Sequence, residues 1–196
     1  MLTKDHNIKS DAYLFQQILL KNDLIKEILK RSEKLDLINC YLGAGCVAQT
    51  VWNYFHNYDL NKNISDYDLV YFDDNDLSYE AENIVIEKLK DEFKDLRINI
   101  DVKNQARVQI WYKEYFGYSI ESYKNIEEAI NTWPTTATSI GVKFINNEFI
   151  YYAPFGLNDI LNMIVKPNKA QIKQNIYEEK IKRWKKCWPK LKIVEW

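Results

Sequence analysis

Glycine, proline, cysteine and histidine are all scarce in this chain: of 196 residues, 5 are Gly, 4 Pro, 3 Cys and 2 His. So little Gly and Pro excludes a fibrous or low-complexity chain and leaves a globular one. Cys40, Cys46 and Cys187 have no paired spacing, which excludes a cysteine-built zinc site or a disulfide framework. Two histidines, His6 and His56, leave a His-dependent mechanism poorly supplied, and His56 is expected to decorate a helix end. No apolar run approaches the roughly 18 residues that span a bilayer. The start, MLTKDHNIKS, carries no apolar signal-like segment, so a soluble, reduced, cytoplasmic protein without a membrane partner is expected.

What is present is charge and aromatic surface. Charged residues make up 28% and aromatics 14%, with a net charge of only −1. The charges are unevenly placed: residues 59–101 carry a balance of −8 and residues 161–196 one of +7. This polarity fits an acidic centre facing a basic tail, or two solvated faces on opposite sides.

Periodicity orders the chain as helices, then β-α-β-α-β-β, then helix, hairpin and helices. Two N-terminal helices are expected, Ser10 or Asp11 capping the first and Asn22 or Asp23 the second. Leu37 to Leu42 reads as a buried strand, and 43–58 as a helix with Val47, Val51, Phe55 and either Ala48 or Trp52 buried. A polar loop, Tyr58 to Ser65, leads to a strand at Tyr67 to Phe72 and a helix from Ser78 to Lys94. The segments 97–102 (RINIDV) and 106–112 (ARVQIWY) alternate as strands do. A helix over Asn125 to Trp133 precedes a hairpin turning at Asn146 and Asn147, and helices near 157–165 and 170–187 close the chain. The fold class is α+β: a small mixed β-sheet with helices packed mainly on one face, plus N-terminal and C-terminal helices. Residues 1–166 are read as the main domain and 167–196 as a basic helical extension packed on it as one unit, with Pro167 and Asn168 at the junction.

Three pieces carry chemistry. Gly43 and Gly45 lie between a buried strand and a helix start, where free N–H groups and the positive end of the helix dipole suit anionic oxygens. Cys46 falls in the first helical turn, its side chain expected at the same rim; a plain tight turn is the competing explanation. Asp66 and Asp68, two apart at a strand start, project from one face, and a divalent cation would relieve their repulsion. Mg2+ is the expected ion, with Mn2+ as a substitute. In RINIDV, Ile98, Ile100 and Val102 share one face, leaving Asn99 and Asp101 on the other, where Asp101 can join the pair if its strand is adjacent.

A glycine turn opening a helix, an Asp-x-Asp strand and a later single Asp together resemble the nucleotidyltransferase superfamily typified by DNA polymerase beta. The phrases GCVAQTVWN, DYDLVYFD, NQARVQIWY, VKPN and WPKL are similar to those of a bacterial nucleotidyltransferase-like family, from residue 43 nearly to the C-terminus. The resemblance implies a glycine-turn phosphate site at Gly45 and Cys46, and a carboxylate triad of Asp66, Asp68 and Asp101. It implies magnesium-dependent transfer of a nucleoside monophosphate from an NTP to an unknown hydroxyl or phosphate acceptor. Two features depart from the superfamily: Cys46 stands where Gly or Ser is usual, and the gap from Gly45 to Asp66 is longer, as an inserted loop at 58–65 would make it.

Further polar groups complete the expectation. Gln105, Arg107 and Gln109 would align on a strand face, Arg107 reaching a triphosphate or pairing with a nearby carboxylate, while Asn104 and Gln105 offer hydrogen bonds. Lys166 and Lys169 are the nearest lysines for a triphosphate, and the hydroxyls of WPTTATS could hold a base or acceptor or simply enter a strand. KIKRWKKCWPKLK could bind RNA, which the near-neutral net charge disfavours, or its lysines could instead receive the triphosphate. Two other functions compete: a non-catalytic nucleotide- or RNA-binding protein retaining the fold, and an Asp-x-Asp glycosyltransferase, which would need a Rossmann-like parallel sheet.

Overall fold

The computed structural model of the chain describes residues 3–35, 37 and 39–196. Asn22 separates the first two helices, α1 (Thr3–Leu20) and α2 (Asp23–Lys34). Its side-chain oxygen accepts from the N–H groups of Leu24 and Ile25 at 3.1 and 3.3 Å, which meets two donors that a helix start leaves unpaired. Asn22 is the cap expected for α2. Ser10 and Asp11 are not caps, because α1 begins earlier and runs through them. Helix α1 buries Phe15, Ile18 and Leu19, Phe15 meeting Phe149 and Tyr151 edge to face.

The first strand, β1 (Tyr41–Gly43), is shorter than the Leu37 to Leu42 expectation, of which Ile38 lies outside the described residues. Helix α3 (Ala44–His56) follows without a loop and buries Val47, Ala48, Val51 and Trp52 completely. Strand β2 (Tyr67–Tyr71), helix α4 (Tyr79–Phe93, capped by Ser78) and strand β3 (Ile100–Asn104) form a β-α-β unit, so β2 and β3 are parallel. Strands β4 (Gly141–Ile145) and β5 (Glu148–Tyr152) form the hairpin, whose turn residues Asn146 and Asn147 take positive φ, 52° and 63°, as a tight two-residue turn requires.

The sheet order is β3-β2-β1-β4-β5, and every pairing except β2–β3 is antiparallel. This mixed sheet is the α+β architecture expected, and it excludes the Rossmann-like sheet of the glycosyltransferase alternative. Alternation decides the two faces. Leu42, Leu69, Val102 and Val142 belong to the main core with the helices, while Tyr41 and Val70 belong to a smaller cluster on the opposite face.

The segment 106–112 departs from expectation. Gln105–Arg107 is a 3-10 turn and Val108–Phe116 is a helix, α5. Asn104 starts the turn: its side chain accepts from Ala106 N–H at 3.0 Å and from Asp73 N–H at 3.1 Å, and donates to the Asp73 carbonyl at 2.7 Å. Glu82 of α4 accepts from Asn104 N–H at 2.8 Å. Val108, Trp111, Tyr112, Tyr115 and Phe116 then follow helical spacing, a period that alternation in ARVQIWY conceals.

Helix α6 (Ile126–Asn131) is capped by Asn125, and α7 (Asn158–Leu161) is a single turn leading into β6 (Ile164–Val165). Helix α8 (Gln174–Cys187) precedes β7 (Lys192–Ile193), which pairs with β6 in a separate two-stranded sheet. One stripe of α8 enters the core. Trp184 and the following Trp188 stand edge-on to Trp52, and Trp188 donates to Asn53 at 2.7 Å. His56 is held in the same region, its Nδ1 at 2.7 Å from the Trp52 carbonyl and its Nε2 accepting from Lys190 N–H at 3.0 Å. It is a structural histidine. Among the described residues no helix is long and apolar enough to cross a membrane.

Candidate active site

One row of residues crosses the whole sheet on the face away from the main core. Asp101 of β3 pairs with Asp68 of β2, Asp68 with Gly43 of β1, Gly43 with Gly141 of β4, and Gly141 with Tyr152 of β5. Paired residues on neighbouring strands point to the same side and lie about 5 Å apart. The glycine turn and two of the three sequence-nominated carboxylates are therefore direct neighbours, and Asp66 lies two residues before Asp68.

The glycines serve close approach. A β-carbon on Gly43 would come within 2.6 Å of the Trp133 ring, and one on Gly141 within 2.9 Å of Tyr41. The left-handed backbone falls instead on Ala44, with φ 55°, where a side chain costs about 1 kcal/mol or more. Ala44 donates its N–H to the Ile140 carbonyl at 3.0 Å, so Gly45 and Cys46 supply the first-turn N–H groups that remain for an anion. The Cys46 side chain is not at the rim. It is fully buried, donates to the Gly43 carbonyl at 3.2 Å, and burial pushes its thiol well up.

Asp68 is crowded. Burial first, then the charges of Asp66 and Asp101, push its carboxyl up to about 7, although Lys103 and Lys180 pull the other way. Lys180 is itself held below the ordinary lysine range, by burial and by Arg183 beside it, with Asp68 and Asp66 opposing. The basic tail thus faces the acidic centre through α8. Asp101 is ion-paired with Lys103, two residues along the same strand face. Among the described residues no three acidic, His or Cys side chains close around a common point as they stand.

A cleft of about 640 Å³ opens beside this row, reached within the row by Asp68. Ala44, Asp68, Lys103 and Gln105 line it at the sheet, and Lys180 and Arg183 approach from α8 with Glu179 beside them. Trp111, Tyr112 and Tyr115 of α5 form a third side, with Tyr123 and Trp133 nearby. Lys180 and Arg183 belong to the basic stretch KIKRWKKCWPKLK that the sequence offered as a phosphate-binding segment, whereas Lys103, Trp111 and Tyr115 were not nominated. The helical period in α5, and the spacing Ile176, Lys180, Arg183 in α8, are the signals that could have found them.

Several nominated residues are engaged elsewhere. Arg107 is buried, ion-paired with Glu82 and donating to the Leu77 carbonyl at 2.9 Å, because the 3-10 turn carries it away from the strand face. Asn104 is the buried cap described above. Lys166 pairs with Asp159 at 3.1 Å, and Lys169 lies over the Trp196 ring; neither lines the cleft. The hydroxyls of WPTTATS bind one another, backbone and a carboxylate: Thr135 and Thr138 oxygens stand 2.8 Å apart, Ser139 donates to the Thr135 carbonyl, and Thr136 to the Asp159 side chain. Of the nominated hydrogen-bonding residues, Gln105 alone lines the cleft.

Comparison with known proteins gives the geometry a context. A family model described as nucleotidyltransferase matches residues 30–193. The fold is similar to a solved structure whose NMR analysis reveals a CCA-adding enzyme head domain, with TM-score 0.75 and 25% identity, covering 92% of this chain and 96% of that one. No curated protein matches. The match spans β1 through β7, so it takes in the glycine turn, all three aspartates and the cationic stripe of α8, and the chain belongs to this family of nucleotidyltransferases.

Proposed function

We propose that the chain transfers a nucleoside monophosphate from an NTP to a hydroxyl or phosphate acceptor, with magnesium as cofactor and pyrophosphate as the other product. The observation that carries this reading is the row Gly43, Asp68, Asp101, with Asp66 two residues before Asp68. Three carboxylates are hard oxygen donors, and the upward push on Asp68 marks a site where a cation relieves repulsion. Their donor chemistry fits magnesium. Asp66, Asp68 and Asp101 would hold it, and when bound it supplies charge neutralisation at the phosphates and an acidified nucleophile.

The chain's own groups supply the rest. Lys180 and Arg183 put two cations beside Asp68, placed to receive the triphosphate and the charge that collects on departing pyrophosphate. The free first-turn N–H groups of Gly45 and Cys46 add the α3 dipole to the same end. Lys103, paired with Asp101, exchanges that carboxylate for the triphosphate as the substrate complex forms. The three cysteines are unpaired, which supports a reducing, cytoplasmic setting. Residues 167–196 act as one unit with 1–166 in this reading, because α8 carries the cations.

The test is pyrophosphate release with each NTP and magnesium, across RNA 3′ ends, protein hydroxyls and sugar phosphates. Asp101→Asn should lower release by about 10²-fold or more, the scale of losing one preorganised charge-stabilising group. A full rate in that variant removes Asp101 from the machinery. Tight NTP binding with no release on any acceptor class would leave nucleotide binding without transfer.

A further inference from the structure

The cleft has two chemically different ends. Asp68, Lys103, Lys180 and Arg183 make one end charged, whereas Trp111 and Tyr115 make the other flat and aromatic. Trp111 and Tyr115 are four apart on α5, with ring centroids 6.3 Å apart and planes at 84°. Tyr115 is 79% exposed. A single exposed aromatic is ordinary, but this one extends a stripe that lines a cavity. Gln105 stands at the junction of the two ends, two residues beyond Lys103 and three before Val108. It is 5% exposed and lines the cleft, so its amide is within reach of an occupant.

We propose that the α5 end is a nucleobase pocket, in which the base of the donor nucleotide stacks on Trp111 and Tyr115 and the Gln105 amide hydrogen-bonds its edge. This rests on the reading of the charged end as the triphosphate site. Flat rings reward any base through its π-face, and stacking tolerates base identity. The amide, presenting both a donor and an acceptor, is what can discriminate. The cavity's volume falls in the range of small-ligand sites, and a triphosphate at the Asp68 end directs its own base along the same cleft.

The experiment is equilibrium binding of the full chain, in magnesium, to four non-hydrolysable NTPs, the four free nucleosides, inorganic tripolyphosphate and a short single-stranded RNA. Calorimetry reads all four. Trp111→Ala and Tyr115→Ala should each weaken NTP and nucleoside binding about tenfold and leave tripolyphosphate unchanged. Gln105→Ala should flatten the preference among bases. Trp111→Phe should restore most of the affinity, which separates stacking from damage to the fold, and Tyr115, being exposed, can be removed without a core cavity. Unchanged NTP and nucleoside affinity in a variant combining Trp111→Ala with Tyr115→Ala overturns the proposal, as does an equal loss for tripolyphosphate. A loss confined to the RNA assigns the pocket to an acceptor and overturns it too. Nucleoside binding that depends on Trp111, with no tripolyphosphate binding to the wild type, upholds the base pocket and removes the triphosphate reading alone.

Discussion

Asp68→Asn should make the folded protein more stable at high pH while removing its activity. Asp68 rises from an ordinary 3.8 to about 7 in the fold, so the folded state binds a proton more tightly there than the unfolded chain. The sign is set by that direction: between pH 3.8 and about 7 the folded state holds more protons, and stability from this group falls as pH rises. At about 1.4 kcal/mol for each tenfold change in proton affinity, the ceiling is about 4 kcal/mol above pH 7. Water reaches the partly exposed carboxylate, and Lys103 and Lys180 share its charge, so about 1–2 kcal/mol is the expected gain for the neutral amide. The assay is urea denaturation of wild type and variant in chelator, at pH 4 and pH 8. The gain should be small at pH 4 and full at pH 8. Magnesium should then stabilise the wild type and not the variant. A stability difference that does not grow with pH would refute the picture of three carboxylates crowded on one face.

Other perturbations test the supports of the site. Gly43→Ala puts a β-carbon 2.6 Å from Trp133 and 3.2 Å from the Ile140 carbonyl; a loss of about 1–3 kcal/mol is expected by thermal melting, and a shift under 0.5 kcal/mol would show that Trp133 yields freely. Glu82→Ala leaves the buried Arg107 charge unpaired and removes the acceptor for Asn104 N–H. It should cost about 3–5 kcal/mol, and a change below 1 kcal/mol in urea titration would return Arg107 to the list of ligand-facing groups. Trp188→Phe keeps the packing on Trp52 but strips the hydrogen bond to Asn53, with an expected loss of about 1–3 kcal/mol in the same titration. No loss would show that Asn53 finds another donor.

The strand-period reading succeeded where one face of a strand is buried and failed where a segment satisfies two periods. Tyr67 to Phe72 and the Ile100, Val102 alternation gave the faces of β2 and β3 correctly, because apolar burial permits only one register. ARVQIWY alternates, yet its helix is set by contacts distant in sequence, Asn104 with Asp73 and Glu82, and these turn Arg107 inward. Asn146 and Asn147 were legible because tight-turn geometry is local; the early start of α1 was not, since Ser10 and Asp11 have the chemistry of a cap without standing at an end.

By itself the sequence determined the α+β class, the carboxylates that share a face and the family to which the motifs point. The shared face follows from alternation within a few residues and the class from the order of periodic segments, while the family follows from a resemblance carried by motifs spread from residue 43 nearly to the C-terminus. Only the tertiary structure decided that Gly43, Asp68 and Asp101 form one row, and that Lys103, Lys180 and Arg183, not Lys166 or Arg107, stand over it. Strand order and the docking of α8 on Trp52 make those neighbours, and both depend on which apolar surfaces meet across the whole chain.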